Sequence, residues 1–321
     1  MSLSDAIIST IAYFDVFGYP LTAIEILAYL WSNETKSLEL INNELARLLA
    51  AKKIETKSGF FFLPNRENIV LTRQNSVQHV AQKLNRAKRA AKLIRYVPFV
   101  EAMFVCNTVA AGSAQKSSDI DVFIIITPGR LWLSRLLITG LLHIFSLRRH
   151  GKKIDNRICL SFYIASDHLN LKSIALENDD IYLHYWIRQL LPIYDPKNFW
   201  QKMQSANGWI DKKTPRPSSA FKLIDRYRTE DCKRSRMIKK ILEKFWQGGY
   251  GDLIESQAKG IQETHMKKRH ASEISKQHVI VNDHMMKFHE NDRREYFRDE
   301  WRKRYSNVIS TKHEEKSSMA E

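Results

Sequence analysis

Eight consecutive residues constrain this chain more than any others: Asp119-Ile120-Asp121-Val122-Phe123-Ile124-Ile125-Ile126. An apolar, β-branched run of this length, closed by Pro128-Gly129, reads as a buried strand. Strand side chains alternate faces, so Asp119 and Asp121 project to the same side, about 6.6 Å apart along the chain. Two like charges so placed at the mouth of a buried strand repel one another unless a cation lies between them. Paired carboxylates suit hard Mg²⁺ ions, and two such ions roughly 3.5–4 Å apart clamp an in-line phosphoryl displacement. Just upstream, Gly112 permits close backbone approach and Ser113 adds a hydroxyl and an N–H, the kind of corner that holds phosphates.

Ala111-Gly112-Ser113 followed by Asp119-Ile120-Asp121-Val122 resembles the signature of the polymerase-beta-type nucleotidyltransferase superfamily. Within it, the chain looks closest to bacterial nucleotidyltransferase-domain proteins with a winged helix ahead of the motif, over roughly residues 10–215. The resemblance implies two Mg²⁺ ions on Asp119 and Asp121 and an NTP seated by Gly112 and Ser113. Lys116 would reach the phosphates as a point charge. The chain departs from the pattern twice. The spacer Ala114 to Ser118 is short, and the strand Ile158 to Ile164, expected to carry a third carboxylate, offers Ser161 and no acid. Asp155 lies just before that strand and Asp167 just after; either, or neither, is the third ligand.

The net charge is +16, unevenly spread. Residues 1–80 carry net −1, residues 81–160 net +10, residues 161–220 net +1 and residues 221–321 net +6. A positive field centred on the motif favours a polyanionic partner, NTP or RNA. Cys106, Cys159 and Cys232 are few and not spaced as metal ligands, as expected of a reduced, cytoplasmic chain. The N-terminus has no basic region ahead of its apolar stretch, so no signal peptide is expected. The apolar stretch from Leu131 to Leu147 is interrupted by Arg135 and His143 and falls short of the ~20 residues of a span, so it is expected to cover the sheet.

Ahead of the motif, helices are expected from Ser4 (its cap) to Phe17, from Thr22 to Trp31 and from Ser37 to about Ala51, then a hairpin turning at Ser58-Gly59. Three helices and a hairpin make a winged helix, residues 1–75. Its third helix would expose Glu39, Asn42, Asn43, Glu44 and Arg47, and its net charge of −1 argues against strong DNA binding. Packing, dimerisation or acceptor docking is the expected role, over DNA reading. Gln74 to Val97 reads as a helix burying Val77, Val80, Leu84, Ala87, Ala91 and Ile94, with Lys88, Lys92 and Arg95 exposed beside Arg86 and Arg89.

A nucleotidyltransferase-like mixed-sheet domain would occupy residues 76–214, with helices at Asp179–Leu191 and Phe199–Ile210 whose aromatics read as core. The linker Lys212 to Ser219 leads to a basic helical C-terminal region, residues 215–321, ending in a disordered tail. There the histidine pairs His265/His270 and His284/His289 are five apart, off the spacing that shares a helix face, and do not suggest a metal site. The basic aromatic segment Arg293 to Tyr305 combines phosphate-contacting and stacking residues with interleaved acids that would pair with them.

The fold class expected is therefore α+β. The function expected is NMP transfer from an NTP to an acceptor, RNA or protein, by a two-Mg²⁺ mechanism, with no membrane span. The alternative from another class is a degenerate nucleotide- or nucleic-acid-binding protein or regulator.

Overall fold

The computed structural model describes residues 1–214, 225–269, 279–288 and 292–317. It is a mixed α/β chain built on a six-stranded mixed sheet. The apolar run behaves as its pattern requires. Strand β4 (Ile120–Ile126) sits inside the sheet, antiparallel to β3 (Val100–Val105) and parallel to β5 (Ile158–Ala165). Alternation divides it between two cores. Val122, Ile124 and Ile126 pack under α4 (Asn68–Ile94) and α6 (Leu131–Ile144). Phe123 and Ile125 pack under α7 (Ile181–Gln189) and α8 (Phe199–Ala206). Strand β6 (Leu191–Tyr194) forms one edge beside β3 and carries Pro192 where a missing N–H is tolerated.

Residues 225–269 add α9 (Lys233–Phe245) and α10 (Gly248–Arg269), and α10 packs on α6. The region 215–321, expected to be helical, also supplies sheet. Strands β7 (Val279–Val281) and β8 (Met285–Phe288) extend it from β5, in the order β6-β3-β4-β5-β8-β7. Three- and four-residue strands are too short for a period-2 signal, which is why the sequence conceals them. No helix among the described residues is long and apolar enough to cross a membrane. Helix α6 instead buries Leu131, Trp132, Leu133, Ser134, Ile138 and Leu142.

At the N-terminal end, α1 (Leu3–Val16), α2 (Ala23–Ala28) and α3 (Leu38–Ala50) precede the hairpin β1 (Glu55–Lys57) and β2 (Phe60–Phe62). Thr22 and Ser37 cap α2 and α3 as expected. Helix α1 starts earlier than expected, with Ser2 rather than Ser4 as its cap, because Asp5 completes the reciprocal pair with Ser2. Ser4 hydrogen-bonds instead to Glu44, which is buried and not part of the exposed face of α3. Ser58 and Gly59 both take positive φ (52° and 78°), as a two-residue hairpin turn demands.

The core of these helices is completed from far along the chain. Ile181 and Tyr185 of α7 and Trp301 of α11 (Arg294–Ser317) lie in the same apolar cluster as Ile7, Ile11 and Trp31. Buried Asp15 is held by Arg66 and by Arg304, each at 2.9 Å. Arg294 pairs with Asp180 at 2.7 Å and Asp292 at 2.8 Å. The basic aromatic segment therefore commits Arg294, Trp301 and Arg304 inward.

Helix α4 begins at Asn68, six residues before the expected Gln74. Its early buried positions are consequently Ile69, Val70 and Ser76, while Val77 is 65% exposed. Lys88 and Arg95 donate to the carbonyls of Arg226 and Glu230, tying α4 to the following segment. Toward the C-terminus, linker residues 215–219, His270, His289 and the expected tail beyond Ser317 lie outside the described residues.

Candidate functional site

The site stands at the start of β4. Carboxylate oxygens of Asp119 and Asp121 and the Sγ of Cys159 all lie within 4.8 Å of one another. Asp119 and Asp121 face the same way, as strand alternation requires, and Cys159 is the β5 residue paired with Asp121. Arg149, from the segment after α6, donates to Asp119 Oδ2 at 2.6 Å and lies 3.8 Å from Cys159 Sγ. Asp121 is the more enclosed acid. Burial, and then the charge of Asp119, raise its pKa from the ordinary 3.8 to about 6, against hydrogen bonds from Asn107, Cys159 and Ser161. The Cys159 thiol is pushed up strongly by burial and by the two carboxylates, so it stays protonated.

Asn107 links this pair to the helices beneath. It opens the short helix α5 (Asn107–Ala110) with φ of 55°, and its Oδ1 accepts from Trp186 Nε1 at 2.8 Å and Tyr182 Oη at 3.4 Å. Its amide is thereby oriented to donate to Asp121.

Gly112 and Ser113 close α5. The Gly112 N–H donates to Val109 O at 3.2 Å and the Ser113 N–H to Thr108 O at 2.9 Å, the paired bonds of a glycine-terminated helix. Both amides are committed to this cap, and the Ser113 hydroxyl, whose own bond to Thr108 O is long at 3.5 Å, is the group at this corner most readily released to a ligand. Gly112 has φ of 77°, and a Cβ there would lie 2.7 Å from Tyr19 Oη. Gly112→Ala should therefore destabilise the protein, by about 1–2 kcal/mol from the left-handed backbone alone and further from the Tyr19 contact. Adding Tyr19→Phe should recover part of that loss in a double-mutant cycle of melting temperatures. A neutral Gly112→Ala would refute this packing.

The spacer is a tight turn, with Gln115 N–H bonded to Ser118 Oγ at 3.0 Å and Ser118 N–H to Gln115 O at 3.1 Å. Buried Lys83 of α4 holds it from below, donating to Lys116 O, Ser118 O and Asn156 Oδ1 at 3.2, 2.7 and 2.9 Å. Burial lowers the Lys83 pKa, with the nearby Asp155 and Asp119 charges acting against it. The Lys116 side chain is exposed, and its carbonyl is the part of the residue fixed in place.

Neither candidate third acid joins the site. Asp167 lies in the turn after β5 at the far end of the sheet; the six strand steps from Cys159 to Ala165 alone put it roughly 20 Å away along the strand direction. Asp155 is exposed in the loop before β5 and is absent from the cluster. The position facing Asp121 is Cys159. Sequence reading missed Arg149, Asn107, Cys159 and Lys83 as site residues. Cys159 and Ser161 alternate on one face of β5, which is the signal that registers them opposite the acids. Arg149 and Lys83 carry no such signal, because their partners are set by the fold.

Two carboxylates are the kind of donor set that one Mg²⁺ can use, with water and substrate phosphate filling the rest of its shell, once Asp119 is released from Arg149. A second ion would need a further oxygen ligand where the protonated Cys159 stands. Comparison with protein-family models, with curated proteins and with solved structures returned no match.

Proposed function

We propose that this chain is a nucleotidyltransferase that moves an NMP from an NTP to an acceptor, with Asp119 and Asp121 as the metal-holding acids. One observation carries the reading: two carboxylates converge at the mouth of a buried strand, and Asp121 is held there at the cost of a raised pKa. A carboxyl raised first by burial and then by a neighbouring carboxylate is the kind of perturbed group that clusters at functional sites. Bound Mg²⁺ would neutralise charge on the transferring phosphoryl group. Asp119 and Asp121 would position it, Asn107 would orient Asp121, and the Ser113 hydroxyl and Lys116 would meet the triphosphate. Arg149 would leave Asp119 for the incoming phosphates, which suit its planar fork. The net +10 of residues 81–160 favours RNA among acceptors over an acidic-surface partner.

On this reading α1–α3 and the hairpin are a winged helix used for packing. Its shared core with α7 and α11 and its net charge of −1 both support that role over DNA reading. A cytoplasmic setting belongs to the same reading, on the three free thiols.

Mg²⁺ together with a non-hydrolysable NTP should raise the melting temperature of the full chain. A ligand that binds only the folded state at 100 times its Kd contributes about 2.7 kcal/mol. Absence of a shift with ATP, GTP, CTP and UTP analogues at millimolar concentration would rule the function out. A second reading, a nucleotide- or nucleic-acid-binding regulator without transfer activity, is favoured by Arg149 on Asp119 and by Cys159 in place of an acid. It predicts the thermal shift without label transfer from a radiolabelled NTP.

A further inference from the structure

At the opposite end of the sheet the fold assembles a second group of ligating side chains, from segments more than a hundred residues apart. Asp167 and His168 follow β5, and His284 lies in the turn between β7 and β8; one ligating atom from each falls within 4.8 Å of the others. The His168 and His284 rings stack at 3.9 Å and 20°, and His168 Nδ1 lies 2.7 Å from Asp167 Oδ1. All three side chains are exposed.

The backbone beneath them is fixed. The His168 N–H closes a turn onto Ala165 O at 3.0 Å, and the Ala165 N–H reaches His284 O at 2.8 Å. Asn282 Oδ1 accepts from the N–H groups of His284 and Met285 at 3.0 and 2.7 Å. Pairing of Ile164 with Met285 sets the two turns side by side. The neighbouring carboxylate of Asp283 is turned away, held by Trp132 Nε1 at 2.8 Å and by Lys259.

We propose that Asp167, His168 and His284 form a binding site for a borderline divalent ion of the Zn²⁺ class, with a further position filled by water. Zn–N and Zn–O bonds of ~2.0–2.2 Å put tetrahedral ligand atoms roughly 3.3–3.6 Å apart. An ion bound by both imidazoles must lie in the plane of each ring, so the two exposed rings swing out of their stack to converge on it, and the ion replaces the hydrogen bond between Asp167 and His168. Two nitrogens and one oxygen select Zn²⁺ over Mg²⁺ or Ca²⁺, which prefer oxygen. Bound there, the ion ties the β7–β8 hairpin to the end of β5.

The test titrates Zn²⁺ into the metal-stripped full-length protein, with binding read by calorimetry and by melting temperature. The chain has 11 histidines, so the decisive comparison is between variants. His168→Ala and His284→Ala should each lose one equivalent of tight binding, with affinity falling about 100-fold or more, and should lose the zinc-induced rise in melting temperature. Asp167→Asn should weaken it. Cys159→Ser, which removes the thiol through which Zn²⁺ would bind at the other end of the sheet, should keep that equivalent, and millimolar Mg²⁺ should not displace it. Because the three ligands are exposed, the zinc-free variants should melt with the wild type. No tight binding in the wild type, retention by both histidine variants, loss in Cys159→Ser, or displacement by Mg²⁺ would each overturn the assignment.

Discussion

Asp121→Asn is expected to abolish transfer activity while making the metal-free protein more stable at pH 8, by about 1–3 kcal/mol. The sign follows from the raised pKa. Burial and then the Asp119 charge lift Asp121 from 3.8 to about 6, so between those pH values the folded state binds more protons than the unfolded. The contribution of Asp121 to stability is thus full below about pH 4 and lost as pH rises through 6. Above that it is an ionised carboxylate beside another, in a place that penalises charge. Asparagine removes the charge and keeps an acceptor for the surrounding donors. In EDTA the wild type and the variant should therefore converge near pH 4 and separate toward pH 8, with the variant higher. With Mg²⁺ and nucleotide the order reverses, since the variant has lost a ligand, and activity falls by orders of magnitude. Melting curves across pH, with and without ligand, check both halves. A variant that is less stable in EDTA at pH 8 and keeps its nucleotide shift would make Asp121 a structural residue.

Trp301→Ala is expected to have the largest effect on stability outside the sheet, about 3–5 kcal/mol. The indole is 6% exposed, packs edge-on against Trp31 at 5.6 Å, and donates from Nε1 to Ser9 O at 3.0 Å. Its removal opens a cavity against α1 and leaves the Ser9 carbonyl without that donor. Tyr296 of the same helix is 50% exposed, so Tyr296→Ala should change stability by no more than about 0.5 kcal/mol. Chemical denaturation of the two variants beside the wild type decides the matter. Equal, small effects would mean that α11 does not belong to the N-terminal core.

The elements whose residues carry their own instructions were legible. Strand β4 announces itself by β-branching, α2 and α3 by Thr22 and Ser37, and the hairpin by Ser58-Gly59. The shared face of Asp119 and Asp121 follows from strand alternation and is present. What stayed hidden depends on pairing across long separations. Cys159 faces Asp121 only because β5 lies parallel to β4 in that register, and Arg149 reaches Asp119 from a loop with no periodic signal. His284 meets His168 only once β8 joins β5. Trp301 is intermediate. Phe297, Trp301, Tyr305 and Val308 recur at helical spacing, an apolar stripe within a charged segment, and that stripe outweighs the basic residues around it.

The closure of the first helix by one of the last elements also governs the order in which the protein becomes whole. The bond from Trp301 to Ser9 spans 292 residues. At about 5–20 residues per second, synthesis delivers that indole roughly 15–60 s after α1 has emerged. Through that interval α2, α3 and the hairpin can pack on Ile7, Ile11 and Trp31, but the part of α1 that meets Trp301 stays uncovered, while β4 and its neighbours have already been made. Loops this long are also entropically slow to close. The N-terminal core can therefore be completed only after Trp301 has been made, when α11 docks on α1.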